Sequence, residues 1–220
     1  RRLAEGERDR ATMLAGIAHD LKSPLTRLRL RLGLATPVAD DRQRAEADLD
    51  ALERITAQFL LFAGGGDSEP SVLLPLDQWL AELTAGFDPA DLELDLEPIE
   101  ARIQPTALGR AVGNLIDNAL SHGRPPLRLV LRAEPGSVGA AVAYRLEVWD
   151  HGTGIADAAW PQALQPFQRL DQARGGSGHC GLGLAIVARI AAAHSGGLLT
   201  RCTAEGFAVV LRGRSLPDPL

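Results

Sequence analysis

The strongest constraint on this chain is a change of periodicity at residues 64–70. Upstream of it, Leu14, Ala18, Leu21, Leu25, Leu28, Leu32 and Ala35 recur at alternating steps of four and three. That spacing is a heptad seam. Leu28, Leu30 and Leu32 also alternate with arginines, as a strand would, but the longer register and the lack of β-branched residues favour helix. Pro37 ends the helix. Asp40 with Gln43 three residues on has the form of a capping box and starts a second helix to about Ala63, with its own seam at Ala45, Leu49, Leu52, Thr56, Phe59 and Ala63. Two helices so closely joined run antiparallel, and one hairpin alone cannot bury Ile17, Ile55, Leu60 and Phe62. A homodimeric four-helix bundle solves this. Gly64, Gly65, Gly66 and the polar run through Pro70 then break helix propensity and mark a flexible linker.

Beyond the linker the pattern is mixed. Strands are expected at Val72–Leu76, Leu92–Leu96, Leu127–Arg132, Tyr144–Trp149, Leu198–Cys202 and Phe207–Leu211, with helices at Gln78–Ala85, Thr106–Ser121 and Leu182–His194. Strands interrupted by helices predict an α/β sandwich of two layers, so the whole chain reads as α+β. The expected division is a helical hairpin over 1–63, a linker over 64–71, a sandwich domain over 72–213 and a tail over 214–220.

Composition narrows the function. A hydrophobic fraction of 45% and a charged fraction of 23% are those of an ordinary globular protein. The formal net charge of -5 argues against a general nucleic-acid binder, and the local stripe Arg27, Arg29, Arg31 reads as a solvated helix face. Cys180 and Cys202 are too few for a disulfide framework and lack metal-ligand spacing, as expected in a reducing compartment. No apolar run approaches the roughly 20 residues that span a bilayer. Arg1–Arg10 is too polar for a signal peptide, so the chain is expected to be soluble and to begin inside an element that continues upstream.

Four constellations carry chemistry. His19-Asp20-Leu21-Lys22-Ser23-Pro24 places a histidine just off the apolar seam, where its ring faces solvent. A neutral imidazole is nucleophilic at one nitrogen when the other holds the proton, and Asp20 can fix that tautomer and take the proton. Pro24 loosens the adjoining backbone. Next, Asn114 and Asn118 project from one helix face. Amide oxygens ligate magnesium without repelling a triphosphate. Taken alone, paired asparagines more often decorate a surface helix. Third, Asp150-His151-Gly152-Thr153-Gly154 follows a hydrophobic strand. A carboxylate there accepts hydrogen bonds from the adenine amino group, whereas guanine presents a carbonyl oxygen and is repelled. Last, Gly175-Gly176-Ser177-Gly178 through Gly181-Leu182-Gly183 precedes a helix whose free amides can receive phosphate, with the glycines as a mobile lid.

With all four blocks in this order, nearly the whole chain resembles the catalytic region of a bacterial sensor histidine kinase, and the stretch around His19 is similar to the osmosensor EnvZ group. The resemblance implies a dimerisation and phosphotransfer hairpin followed by an ATP-binding domain of Bergerat type. It implies His19 as phosphoacceptor, Asp20 as its assisting acid, Asn118 as magnesium ligand with Asn114 beside it, and Asp150 as the adenine reader. Gly152, Gly154, Gly181 and Gly183 match the family's glycine positions, Phe167 its aromatic block, and Arg169 a phosphate contact. ATP and magnesium are the implied cofactors, and the implied partners are a second copy of the chain and the receiver domain of a response regulator. The implied location is the cytoplasmic side of an inner-membrane protein, anchored through segments upstream.

Two departures stand out. Ser121 replaces the usual basic residue near the phosphates, with His122 as partial compensation. Ser23 replaces a threonine or asparagine that would orient the water for dephosphorylating the partner, and its hydroxyl keeps that role open. His151, His179 and His194 read as solvated or loop residues. Two rival readings remain at this point. A water-activated ATPase of the gyrase, Hsp90 and MutL kind would need a glutamate where Asn114 stands. A nucleotide-sensing scaffold without transfer activity is the other, motivated by Ser121.

Overall fold

The computed structural model describes residues 26, 69–134, 142–166, 168 and 181–217. Thr26 is helical and exposed; the rest of the expected hairpin, with His19, Asp20 and Ser23, lies outside the described residues. The chain divides into two compact units, residues 1–65 with 165–182 and residues 66–164 with 183–220. All the elements that follow belong to the second.

In chain order they are β1 (Val72–Pro75), α1 (Leu76–Leu83), β2 (Leu92–Leu96), β3 (Glu100–Ile103), α2 (Pro105–His122), β4 (Leu127–Ala133), β5 (Ala143–Asp150), α3 (Trp160–Ala163), α4 (Gly183–Ala193), β6 (Gly197–Thr203) and β7 (Gly206–Arg214). Five strands form one sheet in the order β2-β4-β5-β7-β6, and β1 pairs with β3 in a separate antiparallel ribbon. Only the β2–β4 pair of the large sheet is parallel; the β4–β5, β5–β7 and β6–β7 pairs are antiparallel.

The first helix starts earlier than its apolar pattern suggests, directly after Pro75, and Thr84 closes it by donating both its amide and its hydroxyl to the Leu80 carbonyl. Strand β3 was not expected. Glu100 and Arg102 hide its character, yet Ala101 and Ile103 are fully buried, the period-two alternation of a half-buried strand.

One face of the sheet carries the core. Leu127, Leu129 and Leu131 on β4, Tyr144, Leu146 and Val148 on β5, and Phe207, Val209 and Leu211 on β7 share it with Leu108, Ala111, Val112, Leu115, Ile116 and Ala119 of α2, and with Val187 and Ala191 of α4. Each large side chain buried there contributes roughly 1.5–3 kcal/mol.

The opposite face buries a small apolar cluster of Val130, Trp149, Ala208 and Val210 beneath a layer of charged side chains. Trp149, 7% exposed, lies under Arg128 and Arg201, whose guanidinium carbons are 5.6 and 5.4 Å from its ring centroid. Its indole N–H donates to Glu147 Oε2 at 2.7 Å, and Glu147 Oε1 lies 2.9 Å from both Arg145 and Arg201. Arg132 pairs with Asp95 and Arg128 with Glu205, so each arginine lining the shallow hollow of about 500 Å³ on this face has a carboxylate partner, Glu147 serving two of them.

Candidate functional site

Strand alternation places the first functional side chain. Tyr144, Leu146 and Val148 point to the helical layer, so Asp150 at the end of β5 does too. It is 7% exposed, and its Oδ1 accepts the Gly152 amide at 2.6 Å. Burial raises the Asp150 pKa above the ordinary carboxylate value, while the Gly152 amide and His151 pull it back. Among the described residues its second oxygen has no hydrogen-bond donor, which leaves it able to accept one from a ligand.

Glycines pack closely around Asp150, two on its carboxylate and one on its backbone. A Cβ on Gly123 would stand 2.3 Å from Asp150 Cγ, one on Gly152 would stand 2.8 Å from Asp150 Oδ1, and one on Gly206 would stand 2.3 Å from the Asp150 carbonyl oxygen. Gly152 was expected here; Gly123 and Gly206 were not, because they come from the end of α2 and the β6–β7 turn and meet Asp150 only in three dimensions. Gly154 turns the chain at φ +68, where a Cβ would strike the Phe207 ring at 2.4 Å. His151 lies exposed, its amide donating to the Arg124 carbonyl at 3.1 Å and its Nδ1 3.1 Å from the Pro126 carbonyl.

The second set runs along α2. Asn114, Asn118 and His122 follow one another at intervals of four residues, a rise of about 6 Å each. Asn114 donates its amide nitrogen to the Arg110 carbonyl at 2.8 Å, leaving its oxygen toward Gly183. A Cβ on Gly183 would stand 3.3 Å from that oxygen, so the start of α4 lies against Asn114. Asn118 is half-buried, and Ser121 and His122 are exposed in the last turn. The structure therefore brings Asn114 to Gly183 and the C-terminal end of α2 to Asp150, with Asn118 between.

Asn114 and Asn118 fit a hard cation: amide oxygens on one helix face suit magnesium that shares its shell with phosphate and water. Among the described residues no cluster of His, Cys, Asp and Glu could hold a metal ion by itself.

Gly181 sits at φ +66, a left-handed conformation natural to glycine, and Leu182 is buried. Phe167 and Arg169 lie outside the described residues. His194 corrects its expectation. It is fully buried at the end of α4, with Nδ1 3.0 Å from the Ile190 carbonyl and Nε2 receiving the Gln104 amide at 3.2 Å. Burial, the larger influence, lowers its pKa and keeps the ring neutral. Sequence reading missed Glu69 as well, which accepts two amides from the first turn of α2.

Residues 103–214 match the family described as histidine kinase-, DNA gyrase B-, and HSP90-like ATPase. The chain is 32% identical over 197 residues to the sensor protein RstB of Escherichia coli, covering 84% of this chain and 44% of RstB. It is 33% identical over 206 residues to the sensor histidine kinase GtrS of Pseudomonas aeruginosa, covering 90% of this chain and 40% of GtrS. The chain thus spans less than half the length of these two curated relatives. Among solved structures, the Acinetobacter baumannii histidine kinase AdeS shares the fold, with a TM-score of 0.70 at 21% identity over 90% of this chain and 98% of that one. No helix among the described residues is long and apolar enough to cross a membrane.

Proposed function

Because the chain belongs to the histidine kinase-, DNA gyrase B-, and HSP90-like ATPase family, we propose that it is the catalytic region of a sensor histidine kinase: it binds ATP along α2, phosphorylates His19, and passes the phosphoryl group to a receiver aspartate of a response regulator. The observation that carries this is the Asp150 carboxylate, buried at a strand end, walled by Gly123 and Gly152, with one oxygen bound to an amide and the other open to a donor. The adenine amino group supplies that donor.

From there the phosphates run along α2 past Asn118 and Asn114 toward the start of α4, whose free amides favour negative charge. Magnesium, when bound, neutralises charge between the phosphates. Ser121 and His122 contribute polar contacts where a basic residue would give an ionic one. Gly181, Leu182 and Gly183 lead into α4, while Phe167 belongs to the aromatic block that precedes the lid and Arg169 is a phosphate contact in this reading. In the transfer, a neutral nitrogen of His19 attacks the γ-phosphorus as the bond to the bridging oxygen breaks. ADP leaves with that electron pair, and Asp20 accepts the imidazole proton. Positioning and charge neutralisation do most of the catalysis. In the second transfer a receiver carboxylate oxygen attacks phosphorus and the N–P bond breaks. Two copies pairing through residues 1–63 form the dimer, and the Ser23 hydroxyl orients the water that attacks the receiver's acyl phosphate, releasing inorganic phosphate and the free carboxylate.

Asn114 lacks a basic oxygen and its amide nitrogen is engaged with the helix, so it cannot activate water as a hydrolytic ATPase requires. Labelling with γ-labelled ATP tests the proposal. Label that is lost in acid, kept in alkali and absent from a His19→Gln variant is the expected result; acid-stable label would refute it.

A further inference from the structure

The first turn of α2 is capped from a distance. Gln104 stands at its N-cap position without a side-chain capping bond, and the turn carries no acidic residue of its own. Glutamine is not among the residues that cap well from that position. Both carboxylate oxygens of Glu69 accept successive helix amides instead, Thr106 N–H to Oε1 at 2.7 Å and Ala107 N–H to Oε2 at 3.0 Å. Gln104 closes the arrangement by donating its side-chain amide to the Glu69 carbonyl at 2.9 Å. A carboxylate at this end also meets the positive end of the helix dipole.

The same turn is held from a second side. The Gln104 backbone amide donates to His194 Nε2 at 3.2 Å, which assigns the ring proton to Nδ1, facing the Ile190 carbonyl at 3.0 Å. His194 follows the last residue of α4, and its own carbonyl accepts the Arg214 amide at 2.8 Å. The start of α2 is therefore a joint: Glu69, the helix bearing Asn114 and Asn118, and the residue that follows α4 are all fastened there.

We propose that Glu69 is a positioning residue for magnesium-nucleotide binding. By holding the first turn of α2 it sets where the helix lies along its axis, and hence where Asn114 and Asn118 stand about two and three turns on. The inference rests on the reading of α2 as the magnesium and phosphate helix. Glu69 acts through the helix rather than on the phosphates: the groups it engages are at Thr106 and Ala107, about 17 Å of helix rise before Asn118. Glu69 also lies within residues 64–71, the stretch read from the sequence as the linker.

Calorimetric titration of the full chain with ATP, once with magnesium and once with EDTA, tests this in the wild type, Glu69→Gln and Glu69→Ala, each held well below its own melting temperature. In Glu69→Ala the gain in ATP affinity that magnesium provides should shrink about five-fold, the equivalent of one lost helix cap. Binding without magnesium, which depends on the Asp150 end, should stay within about two-fold of wild type. Glu69→Gln keeps one acceptor oxygen and should fall between, and it carries the test alone if the alanine variant does not fold. A magnesium gain equal to wild type would overturn the proposal, leaving Glu69 a cap for stability only. An equal loss with and without magnesium would also overturn it, as general loosening. A wild type without magnesium-dependent ATP binding would instead overturn the reading of the site on which the inference stands.

Discussion

Replacing Asp150 by asparagine separates ligand recognition from folding. The wild-type carboxylate is 7% exposed and its Oδ1 accepts the Gly152 amide at 2.6 Å. An asparagine keeps that bond through its carbonyl oxygen, but presents an NH2 group where the second oxygen would receive the adenine amino group. Two donors then face each other. A hydrogen bond to a charged acceptor contributes about 1.5–3 kcal/mol, so the ATP dissociation constant should rise about 10- to 150-fold. The fold should change little. Burial raises the Asp150 pKa, so ionised Asp150 is a net cost to the folded state that the neutral amide removes, and the melting temperature should stay within about 3 °C of wild type. Calorimetric titration with ATP and GTP reads both predictions: wild type prefers ATP, and the asparagine variant loses that preference. Unchanged ATP affinity in a variant with an intact melting temperature would refute the assignment of Asp150 as the adenine reader.

Other perturbations address the frame around the site. Gly154→Ala places a Cβ 2.4 Å from the Phe207 ring at φ +68 and should destabilise by at least about 2 kcal/mol, measured by urea unfolding. Glu147→Ala strips the shared partner of Arg145, Arg201 and the Trp149 indole and should cost about 1–3 kcal/mol in the same assay, chiefly from the buried indole N–H left without an acceptor because both arginines can reach water, with ATP affinity unchanged. The His194 pKa is lowered from 6.5, so its neutral form contributes stability that is complete above that pH and is lost as pH falls through the lower folded value. His194→Gln should flatten that part of the pH–stability curve. The Glu69 pKa is lowered from 4.5: burial works to raise it, but Thr106, the Ala107 amide and Arg110 outweigh that. Its stabilisation is complete above about pH 4.5 and lost on further acidification, an effect absent in Glu69→Ala.

What the sequence made legible was local. Hydrophobic periodicity located β4, β5, α2 and α4 to within a residue or two, because each buries a regular face in the core, and it located β2 although only Leu92 of that strand is buried. The Asp150 turn was legible because a carboxylate followed by two spaced glycines after an apolar strand is a contiguous signal. What stayed hidden depends on contacts across the chain. Gly123 and Gly206 reach Asp150 from two separate turns, and nothing beside them in sequence marks the meeting. Glu69 sat in a polar stretch that read as linker, while its carboxylate serves a helix that begins at Pro105. His194 read as solvated because a histidine at a helix end usually is. Its burial comes from the first turn of α2 and from β7. The strand β3 was masked by charged residues on its outward side.

Locating the transferred phosphoryl group decides the central claim. After incubation with ATP and magnesium under mildly alkaline conditions, tandem mass spectrometry of the digested protein should place a single phosphoryl group on the imidazole of His19. Finding it on a serine, threonine or another histidine, or finding none while ATP is consumed, would contradict the account.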